Sequence, residues 1–174
     1  MAFSPDGKTL LTGDGNRLRL WNVTDRRPTG PAIIAPGTIA AVAYSPGGKI
    51  VAAAKPDGTV LLWDVTTRRE YGRPMAGTGT ATAIGNPSLA FGPSGTILAV
   101  AEPDGTVRSW NVATQQPIVP PVNIGPFAAS TLAFSPAGKL LALQGGGQSR
   151  SSSALSCDDA AEWTDRLVCG MPAG

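Results

Sequence analysis

Short apolar stretches alternate with turns rich in glycine and proline along most of the chain. Residues 38–44 are small, apolar or β-permissive, and they run into the turn Ser45-Pro46-Gly47-Gly48. A second apolar stretch, residues 49–54, ends at Pro56-Asp57-Gly58, and a third follows at 59–63. An Asp-Gly pair between apolar runs is a strong hairpin signal. The pattern therefore predicts three consecutive antiparallel strands.

A fourth strand is predicted at the edge of the same sheet. Residues 68–75 contain Gly72 and Pro74, and a proline cannot donate a hydrogen bond to a central ladder. The strands of such a unit are apolar on both faces, so both faces need cover. Sheets stacked face to face around an axis meet that demand.

The unit recurs along the chain with two landmarks. An aromatic-x-Pro-x-Gly segment begins at four positions that are 41, 47 and 43 residues apart: Phe3, Tyr44, Phe91 and Phe134. A tryptophan followed by Asn-Val or Asp-Val occurs at three positions that are 42 and 47 residues apart: Trp21, Trp63 and Trp110. Because two independent landmarks share one period, the chain is predicted to be a repeat protein.

These residues resemble the WD-repeat β-propeller family, which has repeats of about 40–45 residues, four strands per blade and a Trp-Asp dipeptide. Trp63-Asp64 matches the dipeptide, and Trp21-Asn22 and Trp110-Asn111 are near matches. The resemblance covers about residues 1–143. It implies an all-β fold, an incomplete propeller of about three and a half blades with four antiparallel strands each. The use of Ala, Gly, Pro and Arg looks like that of WD repeats in bacterial signalling proteins, often appended to kinase or nucleotide-binding modules.

The repeat sets the predicted domain boundaries. Glycine and serine replace the Asp-Gly turn and the tryptophan that are due in the fourth unit, and this composition is typical of a linker. Only Met1-Ala2 stands where an inner strand should precede Phe3. The tail is predicted as a short helix, capped by Ser156 or Asp158, or as an unstructured end. The predicted segments are blades at 1–36, 37–84 and 85–126, a partial blade at 127–143, a linker at 144–156 and a tail at 157–174.

An arc of three and a half blades would leave two apolar blade faces in water. Three arrangements remain open at the level of sequence. The chain is a piece of a longer gene product, or two chains associate as a homodimer that completes one ring, or the arc stays open and poorly stable.

The amino-acid composition excludes several kinds of catalytic and metal site. The chain has 174 residues and no histidine, which removes His-based catalytic triads, imidazole metal sites and the buried His–Ser/Thr–Trp–Asp relay of the resembled family. A net charge of +2 favours neither nucleic acid nor membrane as a partner. The N-terminus has neither the basic start nor the apolar run of a signal peptide. We therefore expect a cytoplasmic protein.

Candidate reactive residues have structural interpretations. Asp14, Asp57 and Asp104 precede or follow glycine and are interpreted as hairpin residues rather than metal ligands. The three repeat tryptophans are predicted to pack between blades. Cys157 and Cys169 are too few for a zinc site, and both a disulfide and free thiols stay open. Ser45 has no partner base. No catalytic residue, cofactor or metal site is predicted, and the structural landmarks are Trp21, Trp63, Asp64, Trp110, Asp57 and Asp104.

Two sets of exposed charges are candidate protein contacts. Four arginines follow the third strand of the first two units, and propeller geometry places them beside Lys8, Lys49 and Lys139 on one weakly basic face that could attract an acidic protein segment. Lys55 and Glu102 occupy equivalent turns on the opposite face. The candidate contact residues are Lys55, Glu102, Arg26, Arg27, Arg68 and Arg69.

The repeats and the missing catalytic constellation favour a non-catalytic scaffold for protein–protein interaction, with unknown partners. One alternative is a truncated or frame-shifted remnant without its own function, which the loss of pattern after Leu143 supports. The other is a propeller enzyme, which would need His, Tyr or carboxylate clusters on the inner strands. Residues 39–43 offer only small apolar groups there.

Overall fold

The computed structural model of the chain describes residues 1–77, 86–123, 129–145 and 152–156. Within these ranges the regular structure is entirely β. The strands form four antiparallel sheets in chain order, which we call blades 1 to 4. The all-β prediction is confirmed, and the architecture is an incomplete propeller.

The strands of each blade follow one another in sequence. Blade 1 contains β1 (Ala2–Phe3), β2 (Thr9–Asp14), β3 (Arg17–Asn22), β4 (Arg27–Pro28) and β5 (Ile33–Ile34). Blade 2 contains β6 (Ala41–Tyr44), β7 (Ile50–Ala54) and β8 (Val60–Asp64). Blade 3 contains β9 (Ser88–Phe91), β10 (Ile97–Ala101), β11 (Thr106–Asn111) and β12 (Val122–Asn123). Blade 4 contains β13 (Ala129–Phe134), β14 (Leu140–Gly145) and β15 (Ser152–Ser156).

The predicted hairpins of blade 2 have the expected register. Tyr44 pairs with Val51 across β6 and β7, and Ala54 pairs with Val60 across β7 and β8. Because side chains alternate between the two faces of a strand, this register sends alternate residues to opposite neighbours. On β7, Val51 and Ala53 face blade 1, whereas Ala52 faces blade 3.

Three apolar cores lie between successive blades. The first joins blades 1 and 2, the second joins blades 2 and 3, and the third joins blades 3 and 4. Trp63 lies in the first core and Trp110 in the second, so each packs toward the preceding blade. Trp63 is only 1% exposed. The prediction that these tryptophans pack between blades is confirmed for both, whereas Trp21 is half-buried on the outer flank of blade 1.

The outer strand is less regular than predicted. In blade 1 both β4 and β5 pair with β3. In blade 2 the outer segment touches β8 only through the isolated bridges Trp63–Glu70 and Val60–Met75. Pro74 lies between those bridges and lacks a donor, which is why the ladder is interrupted. Four full strands per blade was therefore wrong for blade 2.

The fourth unit continues further than composition indicated. Strand β15 pairs with β14 over Ser152–Ser156 in regular antiparallel register. The linker prediction for 144–156 is therefore wrong at residues 144–145, which end β14, and at the five residues of β15, since serine and alanine can join a ladder through the backbone alone. The predicted inner strand before Phe3 is reduced to β1, and the predicted tail helix lies outside the described residues.

The arc is open in the described part of the chain. The strands of blade 4 contact blade 3, and none of them contacts a strand of blade 1. Among the described strands, one flank of blade 1 and one flank of blade 4 have no neighbouring sheet.

One polar group in the first core lacks compensation. The hydroxyl of Tyr44 is buried and has no hydrogen-bond partner among the described residues. Burial, with a smaller contribution from the charge of Asp6, raises the pKa of Tyr44 to about 12. The equivalent residues of the next blades are Phe91 and Phe134, which carry no hydroxyl.

Tyr44→Phe should therefore raise the free energy of unfolding by about 1 kcal/mol, because a buried hydroxyl without a partner costs about 1–3 kcal/mol. Urea unfolding measures the change. Tyr71→Phe is the matched control, since Tyr71 is exposed, and it should have no effect. A loss of stability in Tyr44→Phe would contradict the assignment of an uncompensated hydroxyl.

Candidate interaction surfaces

Two turns of each repeat meet at one end of the blade, which we call the lower face. A backbone hydrogen bond of 2.9 Å joins the turn before the second strand to the turn after the third in three blades. Val23 N donates to Lys8 O, Val65 N to Lys49 O and Val112 N to Thr96 O. The predicted meeting of these turns on one face is thus confirmed for blades 1 to 3.

The residue after each repeat tryptophan shapes the second of these turns. The Asp64 carboxylate accepts hydrogen bonds from Thr67 N at 2.7 Å and Thr67 Oγ1 at 3.0 Å. Asn22 accepts from Thr24 N and Asp25 N, and Asn111 accepts from Ala113 N and Thr114 N. Asp and Asn favour such turns because their short side chains bond the nearby backbone. The bonds from Thr67 lower the pKa of Asp64.

The residue that follows each of these turns has a left-handed backbone conformation. Its φ is 55° at Arg26, 58° at Arg68 and 57° at Gln115. Such values are uncommon outside glycine. Their recurrence at one repeat position shows that the Asx turn, rather than the particular side chain, sets the backbone.

This conformation directs the side chain back onto the preceding blade. The Arg68 guanidinium donates from Nη1 to the Pro31 carbonyl and from Nη2 to Thr29 Oγ1, the latter at 3.2 Å. Gln115 Nε2 donates to the Tyr71 carbonyl at 2.6 Å. We call these contacts the blade staples. Arg68 is thus engaged within the chain, which argues against its predicted role as a contact for another protein.

Each staple lies over a glycine. A Cβ at Gly30 would be 2.7 Å from an Arg68 nitrogen, and a Cβ at Gly72 would overlap the Gln115 amide. Both glycines also have positive φ, 154° and 78°. The outer connections of blades 1 and 2 are therefore shaped to admit the staple of the next blade.

Basic side chains that take no part in a staple are exposed on the lower face. Arg26, Arg27 and Arg69 are exposed, as are Lys8 and Lys49. Acidic groups lie among them. Hydrogen bonds from the Ser4 hydroxyl and the Lys8 amide hold the pKa of Asp6 below its usual value, so that carboxylate keeps its charge. The lower face therefore carries exposed cationic side chains together with at least one carboxylate.

On the opposite end, the upper face, Lys55 pairs within its own turn. Lys55 Nζ lies 3.2 Å from Asp57 Oδ2, and Thr59 N donates to Asp57 Oδ1 at 2.9 Å. Burial alone would raise the pKa of Asp57, but the bonds from Thr59 and the charge of Lys55 outweigh it and lower that pKa. Asp104 likewise accepts from Thr106 N at 2.9 Å. These bonds fit the hairpin role predicted for Asp57 and Asp104, and Asp14 is the last residue of β2, directly before the hairpin turn at Gly15.

Glu102 is not a surface residue. It is 1% exposed, and its Oε1 lies 2.9 Å from Arg108 Nε in an ion pair. A Cβ on Gly58 would meet the Glu102 carboxyl at 2.8 Å, so the side chain covers the hairpin of blade 2. The prediction of Glu102 as a protein contact is wrong because the preceding blade buries the turn that carries it. The sequence did not indicate that Glu102 would be buried, apart from Arg108, which lies six residues further along the chain.

Blades 1 and 2 meet near Met1, at one end of the inner strands. A shallow depression there is lined by Met1, Gly13 and residues 39–42, none of which has a titratable side chain. In the described ranges no three acidic or cysteine residues cluster as a metal site would need. Ser45 uses its hydroxyl to accept from Ile50 N at 3.1 Å.

Three stretches of the chain match a known repeat family. A family model, WD domain, G-beta repeat, matches residues 1–22, 33–64 and 85–111. The fold is similar to that of hydrazine synthase from Kuenenia stuttgartiensis, with a TM-score of 0.74 and 19% sequence identity. That match covers 89% of this chain and 44% of the other, so the chain spans less than half of its structural relative. No curated protein sequence matches. Among the described residues no helix could cross a membrane.

Proposed function

Because three stretches of the chain match the WD-domain repeat model, we propose that the protein is a non-catalytic scaffold for protein–protein interaction and that its lower face binds an acidic protein segment. Repeat propellers present rigid loops on their end faces, and binding residues concentrate on such loops. The observation that carries the proposal is the position of the exposed lysines and arginines. The backbone bonds between the two lower turns bring these side chains from separate parts of the sequence onto one face.

The structure favours a particular subset of the predicted contacts. Arg27 and Arg69 follow equivalent left-handed residues and are exposed, while Arg68 is held by its staple. Lys55 belongs to the other face and is partly neutralised by Asp57. We therefore assign the contact to Arg26, Arg27 and Arg69, supported by Lys8 and Lys49.

Arg27→Glu combined with Arg69→Glu should weaken binding of a fluorescein-labelled glutamate-rich peptide at least tenfold. Two repulsive charges replace two attractive ones, and exposed charges act mainly through screened Coulomb forces. Fluorescence anisotropy at low ionic strength measures the affinity, and added salt should weaken it as well.

Arg73→Glu is the matched control, because Arg73 is exposed but lies on the outer connection of blade 2. It should leave the affinity within about twofold. Equal losses per reversed charge in the control and the double variant would show that only net charge matters, and absence of peptide binding by the unaltered chain would reject the acidic segment as the partner.

A further inference from the structure

The first staple, Arg68, meets only hydrogen-bond acceptors on blade 1. A guanidinium has donors and no acceptor, and that of Arg68 donates to the Pro31 carbonyl and to Thr29 Oγ1. Thr29 Oγ1 gives its own proton to the Leu20 carbonyl at 3.2 Å, so it faces Arg68 as an acceptor. Pro31 has no backbone N–H. This part of blade 1 therefore suits a side chain that only donates.

The second staple, Gln115, meets one acceptor and one donor on blade 2. A side-chain amide offers both kinds of group. Nε2 of Gln115 donates to the Tyr71 carbonyl and Oε1 accepts from Arg73 N, each at 2.6 Å. The outer connection of blade 2 therefore suits a side chain that both donates and accepts.

The two receiving sites lie at equivalent positions of the repeat. Ile33 in blade 1 and Met75 in blade 2 each pair with the residue three positions before the repeat tryptophan. Pro31 and Arg73 stand two residues before Ile33 and Met75. Blade 1 thus has a proline where blade 2 has the N–H that Gln115 uses. The difference between the two staples follows the difference between the two blades that receive them.

We propose that Arg68 and Gln115 are specificity-determining residues for the contacts between consecutive blades, because each matches the hydrogen-bonding groups of the blade before it. Repeats with similar apolar patterns can pair wrongly, which is a characteristic failure of repeat proteins. A wrong neighbour would leave a donor or an acceptor of the staple without its partner, and such mismatches discriminate between partners. The staples thus record which blade precedes which, and this role does not depend on the acidic partner of the lower face.

Amide hydrogen exchange at Arg73, followed by NMR, tests the second staple. Gln115→Arg removes the acceptor of this N–H and should speed its exchange at least about tenfold, because an amide without a hydrogen bond loses its protection. Gln115→Glu keeps an oxygen acceptor and should retain most of the protection. Gln116→Arg adds the same charge at the neighbouring exposed residue and is the matched control. Equal exchange rates in Gln115→Arg and Gln116→Arg would overturn the match.

A change of the receiving residue should reverse the preference. Arg73→Pro gives blade 2 the acceptor-only site of blade 1, and blade 3 already has Pro120-Pro121 at the corresponding positions, so this backbone accepts two consecutive prolines. Gln115→Arg should lower the urea midpoint of the unaltered chain and should not lower that of Arg73→Pro. In Arg73→Ala, which loses the side-chain charge but keeps the N–H, Gln115→Arg should still lower the midpoint.

The three backgrounds separate hydrogen-bond matching from other causes. Equal shifts in all of them would overturn the proposal, since residues that act independently give additive changes. Loss of the shift in Arg73→Ala would also overturn it, because repulsion between two cations would then explain the effect. Circular dichroism verifies the fold of each variant. None of these measurements uses the glutamate-rich peptide, so failure of this proposal and failure of the proposed function are distinguishable.

Discussion

Trp63→Ala should lower the free energy of unfolding by about 4 kcal/mol, which is within the range for removal of a buried aromatic side chain. Trp63 is 1% exposed and joins Leu11, Leu18 and Val51 in the core between blades 1 and 2. The sheets on both sides are tied by backbone ladders, so they cannot collapse to fill the space. Because each blade contacts only its neighbours, the loss of packing in this core weakens the contact that holds blade 1 to blade 2.

Urea unfolding followed by circular dichroism measures this loss. Trp21→Ala is the matched control in the same chain, since Trp21 occupies the equivalent position but is half-buried, and it should cost less than half as much. Equal losses for the two variants would show that the blade 1–blade 2 core does not carry the stability assigned to it.

Glu102→Ala should lower the free energy of unfolding by about 3 kcal/mol or more, because breaking a buried ion pair leaves the partner charge uncompensated. Glu102 is fully buried and Arg108 is mostly buried, so water replaces little of the lost interaction. The carboxyl also covers the hairpin at Gly58, and its removal opens a cavity at the contact between blades 2 and 3.

A double variant separates the charge from the packing. Leu61 stands in blade 2 where Arg108 stands in blade 3. Glu102→Ala with Arg108→Leu should therefore recover most of the loss, since apolar replacement of a buried pair is often neutral. Glu70→Ala, at an exposed glutamate, is the control and should change stability by less than about 0.5 kcal/mol. A double variant no more stable than Glu102→Ala would assign the loss to packing alone.

The strands of blades 2 and 3 could be predicted because their evidence is local. Asp57-Gly58 sets a hairpin within a few residues, and the alternation of side chains on β7 and β8 decides both faces. The outer connection of blade 2 has no such pattern. Pro74 and Gly72 suit an edge, but only the packing on β8 decides that Glu70 and Met75 bridge. Strand β15 was missed for a related reason, since its pairing is carried by the backbone and not by apolar alternation.

The candidate contact residues also differ in whether local sequence evidence was enough to predict their position. Arg27 and Arg69 were found from their equivalent positions and are exposed, as expected. Arg68, the residue before Arg69, carries the same charge, but its left-handed backbone directs its side chain onto blade 1. The residues around Glu102 have the composition of a surface turn, but Glu102 forms a buried ion pair with Arg108. The charge of a side chain is visible in sequence, but the blade that covers it is distant along the chain.

Period and alternation by themselves determined that this chain forms stacked antiparallel sheets, because a strand with two apolar faces has to be covered on both. The tertiary structure alone decided which repeat positions become staples and which charge is buried. Those outcomes depend on contacts between residues about forty positions apart, such as Arg68 with Thr29. A local sequence pattern does not show which residues of neighbouring blades come into contact.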